Sequence, residues 1–234
     1  MPKLSWISDD ILIAETNKLL GVARSAKEDA SKKFGKNVVD PFSAIFEMSG
    51  FDVSYDVWVK TEEARQAQKT LQNFIGEFHQ NVLSACAGWT NLGKGNVVDL
   101  VNTNKKIIAE VKNKFNTLSG GKLAGLYQSL DTAVMHKNSK YKGYTAYYVT
   151  IIPPKPKRFD VEFTPSDNET GSKRQSNSKI RHIDGASFYT LATGSDSGLE
   201  DLFDVLPSII NDIIGKNKLD SSKLKKLFST AYGE

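Results

Sequence analysis

The sequence predicts a mixed α/β (α+β) fold, a central mixed β-sheet flanked by helices. Three observations predict it. Apolar residues recur at helical spacing near the N-terminus, between residues 64 and 85, and again near the C-terminus. Between these stretches lie short runs of β-branched and aromatic residues bounded by turn formers. The order is helices, a hairpin, a helix, a strand, then mixed segments, and helices distributed in this way cover a sheet.

In chain order, Ser8-Asp9-Asp10 supplies an N-cap with acids in the first turn, and Ile11, Leu12, Leu19, Leu20 and Ala23 give the stripe of a first helix. The polar stretch from Ser25 to Lys36 reads as helix end and loop. Asp40-Pro41 restarts the chain, with Phe42, Ile45 and Phe46 expected in the core. A long helix is expected from Thr61-Glu62-Glu63. Ala64, Ala67, Leu71, Phe74, Ile75, Phe78, Val82 and Ala85 form its apolar stripe, and Gly88 ends it.

Gly93 to Asn96 is a turn. Val97 to Val101 and Lys106 to Lys112 then read as two strands joined by the turn residues Asn102-Thr103-Asn104, a β-hairpin. Ser119-Gly120-Gly121 breaks the chain before a helix from Leu123 to Met135. Tyr144 to Ile152 is a strand by composition. Pro153 to Pro156 cannot continue a ladder. Phe159 to Phe163 alternates as a short strand, and Thr164 to Lys179 is a polar loop. Ser197-Gly198-Leu199-Glu200 matches a capping box, and Leu199, Leu202, Phe203 and Leu206 follow at helical spacing. Pro207 is expected to kink or divide that helix before Ile209, Ile210, Ile213 and Ile214.

At 234 residues the chain suits one sizeable domain, or a domain with a small appendage, with a core that needs no staples. Its one cysteine, Cys86, cannot form an internal disulfide and reads as a buried, inert thiol. That usage suits a reducing cytoplasm. No signal-peptide apolar region and no run of membrane-spanning length occurs in it, so no membrane partner is expected. The net charge of +4 is mild, but residues 102–142 carry eight lysines against two acids, Glu110 and Asp131. Such a local excess suits a polyanionic substrate, or a solvated basic surface.

The chemistry concentrates on the hairpin. Asp99 on its first strand and Glu110 on its second are expected to lie roughly opposite each other. Glu110 and Lys112, two apart in a strand, project from one face. Glu110-Val111-Lys112 is the only acid-x-Lys triplet in the chain. An Asp inside an apolar run is costly to bury without a partner, and a cation is a natural one. Phosphodiester cleavage needs a nucleophilic water and a place for transition-state charge, and a Mg²⁺ held by carboxylates, with a lysine near the water, can supply both. The alternative is a solvent-facing ladder of ion pairs. Glu77, on the helix before the hairpin, is a further candidate metal ligand or else an exposed helix acid.

Asp99, then Glu110-Val111-Lys112, after a helix bearing Glu77, resembles the PD-(D/E)xK nuclease core, with Val98 where a proline often stands. The run Ile107 to Thr117, which contains Glu110-Val111-Lys112-Asn113-Lys114, resembles more specifically the Type II restriction endonucleases that recognise GGNCC. Ser5 to Asp9, Asn37 to Phe46 and Asp184 to Gly194 are similar to the same family. The resemblance implies a restriction-endonuclease-like core, a homodimer that cuts both strands of double-stranded DNA at a short palindromic site, and 5′-phosphate products. It implies that Asp99 and Glu110 hold Mg²⁺ while Lys112 attends the water, and that a cognate DNA methyltransferase is the genetic partner. A repair or recombination nuclease on the same core, or a non-catalytic DNA-binding module, are the alternatives.

Three of the five arginines fall between Arg158 and Arg181. Arg or Lys can contact guanine, and an acid can accept from cytosine. Arg174, Arg181, His182 and Asp184 are therefore candidates for DNA contact, or else members of an ordinary basic loop. Asn113 and Lys114 are candidates near the scissile phosphate. His79, His136 and His182 lack metal-ligand spacing, and no zinc site is expected. The single domain 1–234 thus divides into an N-terminal helical part (1–60), a catalytic core (61–152), a DNA-recognition segment (153–195) and C-terminal helices (196–234).

Overall fold

The expected hairpin forms, and in the computed structural model it leads into the middle of a six-stranded sheet. The described residues are 2–36, 38–93, 95–167, 171–216 and 219–233. Asn37 at the head of one stretch of family resemblance, Lys94 in the expected turn, and residues 168–170 of the polar loop lie outside them. The chain forms two compact units. Residues 17–77 make one; residues 1–16 with 78–234 make the other.

The second of these carries the sheet. Its strands are β1 (Trp89–Asn91), β2 (Leu100–Asn102), β3 (Ile107–Lys114), β4 (Thr145–Ile152), β5 (Asp160–Glu162) and β6 (Ile180–Asp184). Their spatial order is β1-β2-β3-β4-β6-β5. β1, β2 and β3 are antiparallel neighbours, β3, β4 and β6 run parallel, and β5 pairs antiparallel with β6. Helices cover both faces of the parallel part, as its apolar strands require. On one face, Tyr127, Leu130, Ala133 and Val134 of α4 (Gly120–Met135) pack against Ile108, Ala146, Tyr148 and Ile180. On the other, Phe188 of α5 (Gly185–Thr193) meets Trp89 and Tyr147 edge-on or tilted. Gly185 allows that approach: a Cβ there would lie 2.4 Å from the Ile151 carbonyl oxygen.

Several expectations need correction here. β6 and α5 were expected only as the end of a polar loop and an unassigned stretch, yet β6 is an interior strand of the sheet, between β4 and β5. Its sequence, Ile-Arg-His-Ile-Asp, hides a buried strand behind polar residues that the fold takes inward. The first hairpin strand is shorter than expected. Only 100–102 pair as a strand, while Val97 is exposed beside a turn with Gly93 and Gly95 at positive φ. β1 had no counterpart in the sequence reading. α6 (Gly198–Ile214) runs unbroken through a buried Pro207. The capping box does not form. Ser197 Oγ instead donates to Asp201 at 2.8 Å, and Glu200 pairs with Lys225 at 3.3 Å. α7 (Ser221–Tyr232) packs back on α6 through Phe203, Phe228 and Tyr232.

The unit of residues 17–77 is helical. The boundary between the units falls within α1 (Asp9–Lys32) and within α3 (Tyr55–Ser84). α1 continues through the polar stretch expected to be loop, because Ala26 and Ala30, one turn apart, are buried. α3 begins earlier than Thr61, at Tyr55, with Ser54 at its cap. Asp40 caps α2 (Pro41–Gly50) by accepting from the backbone of Phe42 and Ser43, which matches the expected restart. The expectation that Phe42, Ile45 and Phe46 enter the core is overturned, since all three are exposed. The inward side of α2 is that of Ala44 and Glu47. The Glu47 carboxylate accepts from Ser43 and from Trp58 Nε1 at 2.7 and 2.8 Å. Among the described residues no helix is long and apolar enough to cross a membrane.

Candidate active site

Asp99 is held by its backbone before its side chain is considered. Its N–H donates to the Ala109 carbonyl at 3.0 Å, and its carbonyl accepts from Leu92 at 2.8 Å. Buried Val98 on one side and Leu100 on the other anchor the segment. One carboxylate oxygen then accepts from the Val111 N–H at 2.8 Å, across the hairpin. Glu110 sits between these two points of attachment, close enough for the charge of Asp99 to act on its carboxyl. The Lys112 ammonium donates to Glu110 Oε1 at 2.5 Å. The three residues singled out on the hairpin are therefore gathered at one place.

Their electrostatics is unfavourable as it stands. The Glu110 side chain is only 16% exposed. Burial, and then the charge of Asp99, push its carboxyl above the ordinary range, and Lys112 opposes them only in part. A divalent cation between the two carboxylates would reverse that balance. Among the described residues no cluster of three or more His, Cys, Asp or Glu side chains forms a metal cage. Two carboxylates suit Mg²⁺, which keeps several waters and takes its other ligands from phosphate oxygens. Glu77 has its carboxylate engaged by Lys18 at 2.8 Å.

Behind the site runs a layer that sequence reasoning missed. In the parallel ladder Glu110 pairs with Tyr148 and Tyr148 with His182; Lys112 pairs with Thr150 and Thr150 with Asp184. Tyr148 is fully buried, stacks on His182 at 4.6 Å, and its hydroxyl has no hydrogen-bond partner among the described residues. Burial and the charge of Glu110 push that hydroxyl up to about 12. Thr150 meets His182 Nε2 at 3.1 Å. The available signal was weak: Tyr148 and Thr150 lie two apart in β4, but that strand also carries Thr145 and Tyr147. The register that places Tyr148 and Thr150 behind Glu110 and Lys112 is long-range and cannot be read locally.

The candidates for DNA contact are placed less uniformly. Arg181 is held by Asp160, 2.6 Å to the carboxylate and 2.8 Å to the carbonyl. Arg174 pairs with Asp167 at 3.0 Å. His182 is taken into the ring cluster of Tyr148, Phe159 and Phe163, and burial lowers it to about 4. Asp184 is 1% exposed, with both oxygens used: it caps α5 through Ser187 N at 2.9 Å and accepts from Phe159 N at 2.6 Å. Asn113 follows the strand alternation onto the face opposite Glu110 and Lys112, and its buried Oδ1 has no hydrogen-bond partner among the described residues. Half-buried Lys114 shares the face of the catalytic candidates. Two other expectations hold in this unit. Cys86 is buried, its thiol pushed up to about 12, and His79 is an internal residue bonded to the Tyr189 hydroxyl at 2.8 Å.

Comparison with known proteins agrees with this geometry. A family model described as "Eco47II restriction endonuclease" matches residues 4–215. The chain is 46% identical to the Type II restriction enzyme Eco47II of Escherichia coli, over the full length of both. It is 30% identical to the Type II restriction enzyme Sau96I of Staphylococcus aureus, over 98% of this chain and 88% of that protein.

Proposed function

The chain belongs to the Eco47II restriction endonuclease family and is a Type II restriction endonuclease that acts on DNA, and from that premise we propose that Asp99, Glu110 and Lys112 are its cutting centre. The observation that carries the reading is the crowding of two part-buried carboxylates on one hairpin, with a lysine on the second of them. Asp99 and Glu110 hold Mg²⁺. When bound, the ion supplies charge for the phosphorane-like transition state and acidifies a water. The Val111 N–H orients the Asp99 carboxylate. Lys112 exchanges its contact with Glu110 for the attacking water, holding it in line with the scissile P–O bond. The water oxygen bonds to phosphorus as the 3′-oxygen leaves, which gives 5′-phosphate ends. Glu77 belongs to the other unit, and its carboxylate is engaged by Lys18.

The enzyme acts as a homodimer on a short palindromic site of GGNCC type, each copy taking one half-site. Arg174, Arg181 and Lys114 are the side chains assigned to DNA. A cognate methyltransferase protects the host's own sites in the cytoplasm. The test is a digest of unmethylated phage DNA with Mg²⁺ and with chelator. Discrete bands with religatable 5′-phosphate ends are expected only with Mg²⁺, and two chains per short cognate duplex are expected in sedimentation. Cutting in chelator, or smears in place of bands, overturns the reading.

A further inference from the structure

Among the described residues, five buried side-chain atoms have no hydrogen-bond partner: Trp6 Nε1, Trp89 Nε1, Asn113 Oδ1, Arg174 Nε and the Tyr148 hydroxyl. A buried polar group left in this way costs free energy and calls for an explanation. Of the five residues, Tyr148 alone is in register with a member of the cutting centre, since β4 sets it beside Glu110. Residues paired across two strands turn their side chains to the same face. The two are close enough for the charge of Glu110 to act on the hydroxyl. The Tyr148 ring is itself well held, stacked on His182 at 4.6 Å and tilted against Phe163 at 5.0 Å.

Glu110 has a use for a donor. The Asp99 carboxylate is fixed by the Val111 N–H, a backbone group that stays in place. Glu110 instead accepts from the Lys112 ammonium, and in the mechanism above Lys112 gives that contact up to attend the water. A carboxylate has several lone pairs to fill, and a glutamate side chain has rotatable bonds to fix. We propose that Tyr148 is a positioning residue: its hydroxyl donates to the Glu110 carboxylate when Lys112 turns to the water, and so keeps Glu110 oriented toward Mg²⁺. This rests on the reading of Asp99 and Glu110 as the metal site. Outer contacts of this kind orient ligating carboxylates, and their loss typically weakens metal affinity or activity about 10- to 100-fold. The unpartnered hydroxyl is then a donor kept ready for the loaded site, on a ring that its neighbours already hold.

Thermal melts of the full chain, in chelator and across a Mg²⁺ titration without DNA, provide the test. Tyr148→Phe removes the hydroxyl and keeps the ring. In chelator it is expected to melt at or above the wild type, because no hydrogen bond is lost and a buried polar atom is removed. Its rise in melting temperature is expected to need about tenfold more Mg²⁺. Cleavage should follow, with its half-maximal rate at about tenfold higher Mg²⁺ and most of the loss recovered at saturation. Tyr127→Phe is the control. Tyr127 belongs to the same core cluster, but its hydroxyl donates to the Gln175 carbonyl at 2.6 Å. That variant is expected to melt lower and to keep the wild-type Mg²⁺ response. A Tyr148→Phe protein with the wild-type Mg²⁺ response overturns the inference. So does one that melts below the wild type in chelator or fails to fold, since the hydroxyl would then serve the core. An equal loss of Mg²⁺ response in Tyr127→Phe overturns it too, as an effect of packing. A wild type that Mg²⁺ does not stabilise removes the metal site and the inference together. A wild type and a Tyr148→Phe protein that respond alike remove only the part given to Tyr148.

Discussion

The hairpin around Glu110 and the segment from Arg158 to Asp184 hold charged residues in opposite ways. In the hairpin, two carboxylates crowd a part-buried spot and one lysine cannot satisfy both. In the segment, each arginine meets a partner inside the protein, although the buried Nε of Arg174 has none among the described residues. Arg158 clamps α5 through Ala186, Ser187 and Thr190, Arg174 meets Asp167, and Arg181 meets Asp160. Burial of like charges costs free energy that a folded chain tolerates only where something else repays it. Paired charges need no such explanation. The unfavourable cluster therefore points to chemistry, and the satisfied pairs point first to architecture.

Removing the carboxylates is the harshest test of that contrast. Asp99→Ala or Glu110→Ala is expected to lower cleavage by about three orders of magnitude or more, the scale of a lost metal site. DNA binding without Mg²⁺ should survive, because phosphate contacts elsewhere carry it. Asp160→Ala, which removes an acid from the satisfied region, should cut at close to the wild-type rate. If Asp99→Ala and Asp160→Ala cleave alike, the distinction between the regions is lost.

Lys112 and Lys105 make a gentler comparison. Lys112→Ala is expected to lose about 10²- to 10⁴-fold in single-turnover rate, the usual worth of a group that handles the water. Lys105, whose ammonium donates to the Leu191 carbonyl at 2.7 Å, should lose little when changed to Ala. Equal, small losses would reduce both lysines to a basic surface.

The gathering of Asp99, Glu110 and Lys112 was legible in the sequence because a hairpin is local. Acid-x-Lys fixes two side chains on one face, and a short turn brings Asp99 across to them. The layer of Tyr148, Thr150 and His182 was not legible, because parallel pairing of β3, β4 and β6 joins residues from three distant stretches. β6 itself was masked by Arg181, His182 and Asp184, polar residues whose burial depends on partners that only the fold supplies. The same limit explains α2. Phe42, Ile45 and Phe46 have the composition of a core face, and composition does not say which face turns inward.

The arginines give the next smaller effect. If Arg181 or Arg174 reads guanine, replacement by Ala costs about 1–3 kcal/mol on the cognate duplex and relaxes discrimination at one base pair. Arg181 must first leave Asp160, so Asp160→Ala should tighten cognate binding. As structural pairs, each part-exposed contact is worth no more than about 1 kcal/mol of stability. Titrations of cognate and singly substituted duplexes at several salt concentrations separate the cases. Uniform weakening across sequences, with a salt slope lower by about one, would mark phosphate contacts and place base reading elsewhere.

The smallest effect is on stability, and it reports the crowding directly. Glu110 is raised above its ordinary value of 4.5, first by burial and then by Asp99. The folded protein then binds its proton more tightly than the unfolded chain does. The stability associated with that proton is present below about pH 4.5 and is lost as pH rises through the folded-state value. At pH 8 in chelator, Glu110 is charged at a cost, and Glu110→Gln should melt higher than the wild type. The gap should close as pH falls through the folded-state value of Glu110, because protonation removes the charge that burial and Asp99 oppose. Mg²⁺ should reverse the order at pH 8, because a ligand that binds only the folded, ionised site raises the melting temperature of the wild type and not of the variant. Thermal melts at both pH values, with and without Mg²⁺, give all four comparisons. A Glu110→Gln protein that melts lower than the wild type at pH 8 in chelator would mean that the Lys112 contact outweighs burial and Asp99. The hairpin would then be another satisfied ion pair, no different in kind from Arg181 and Asp160.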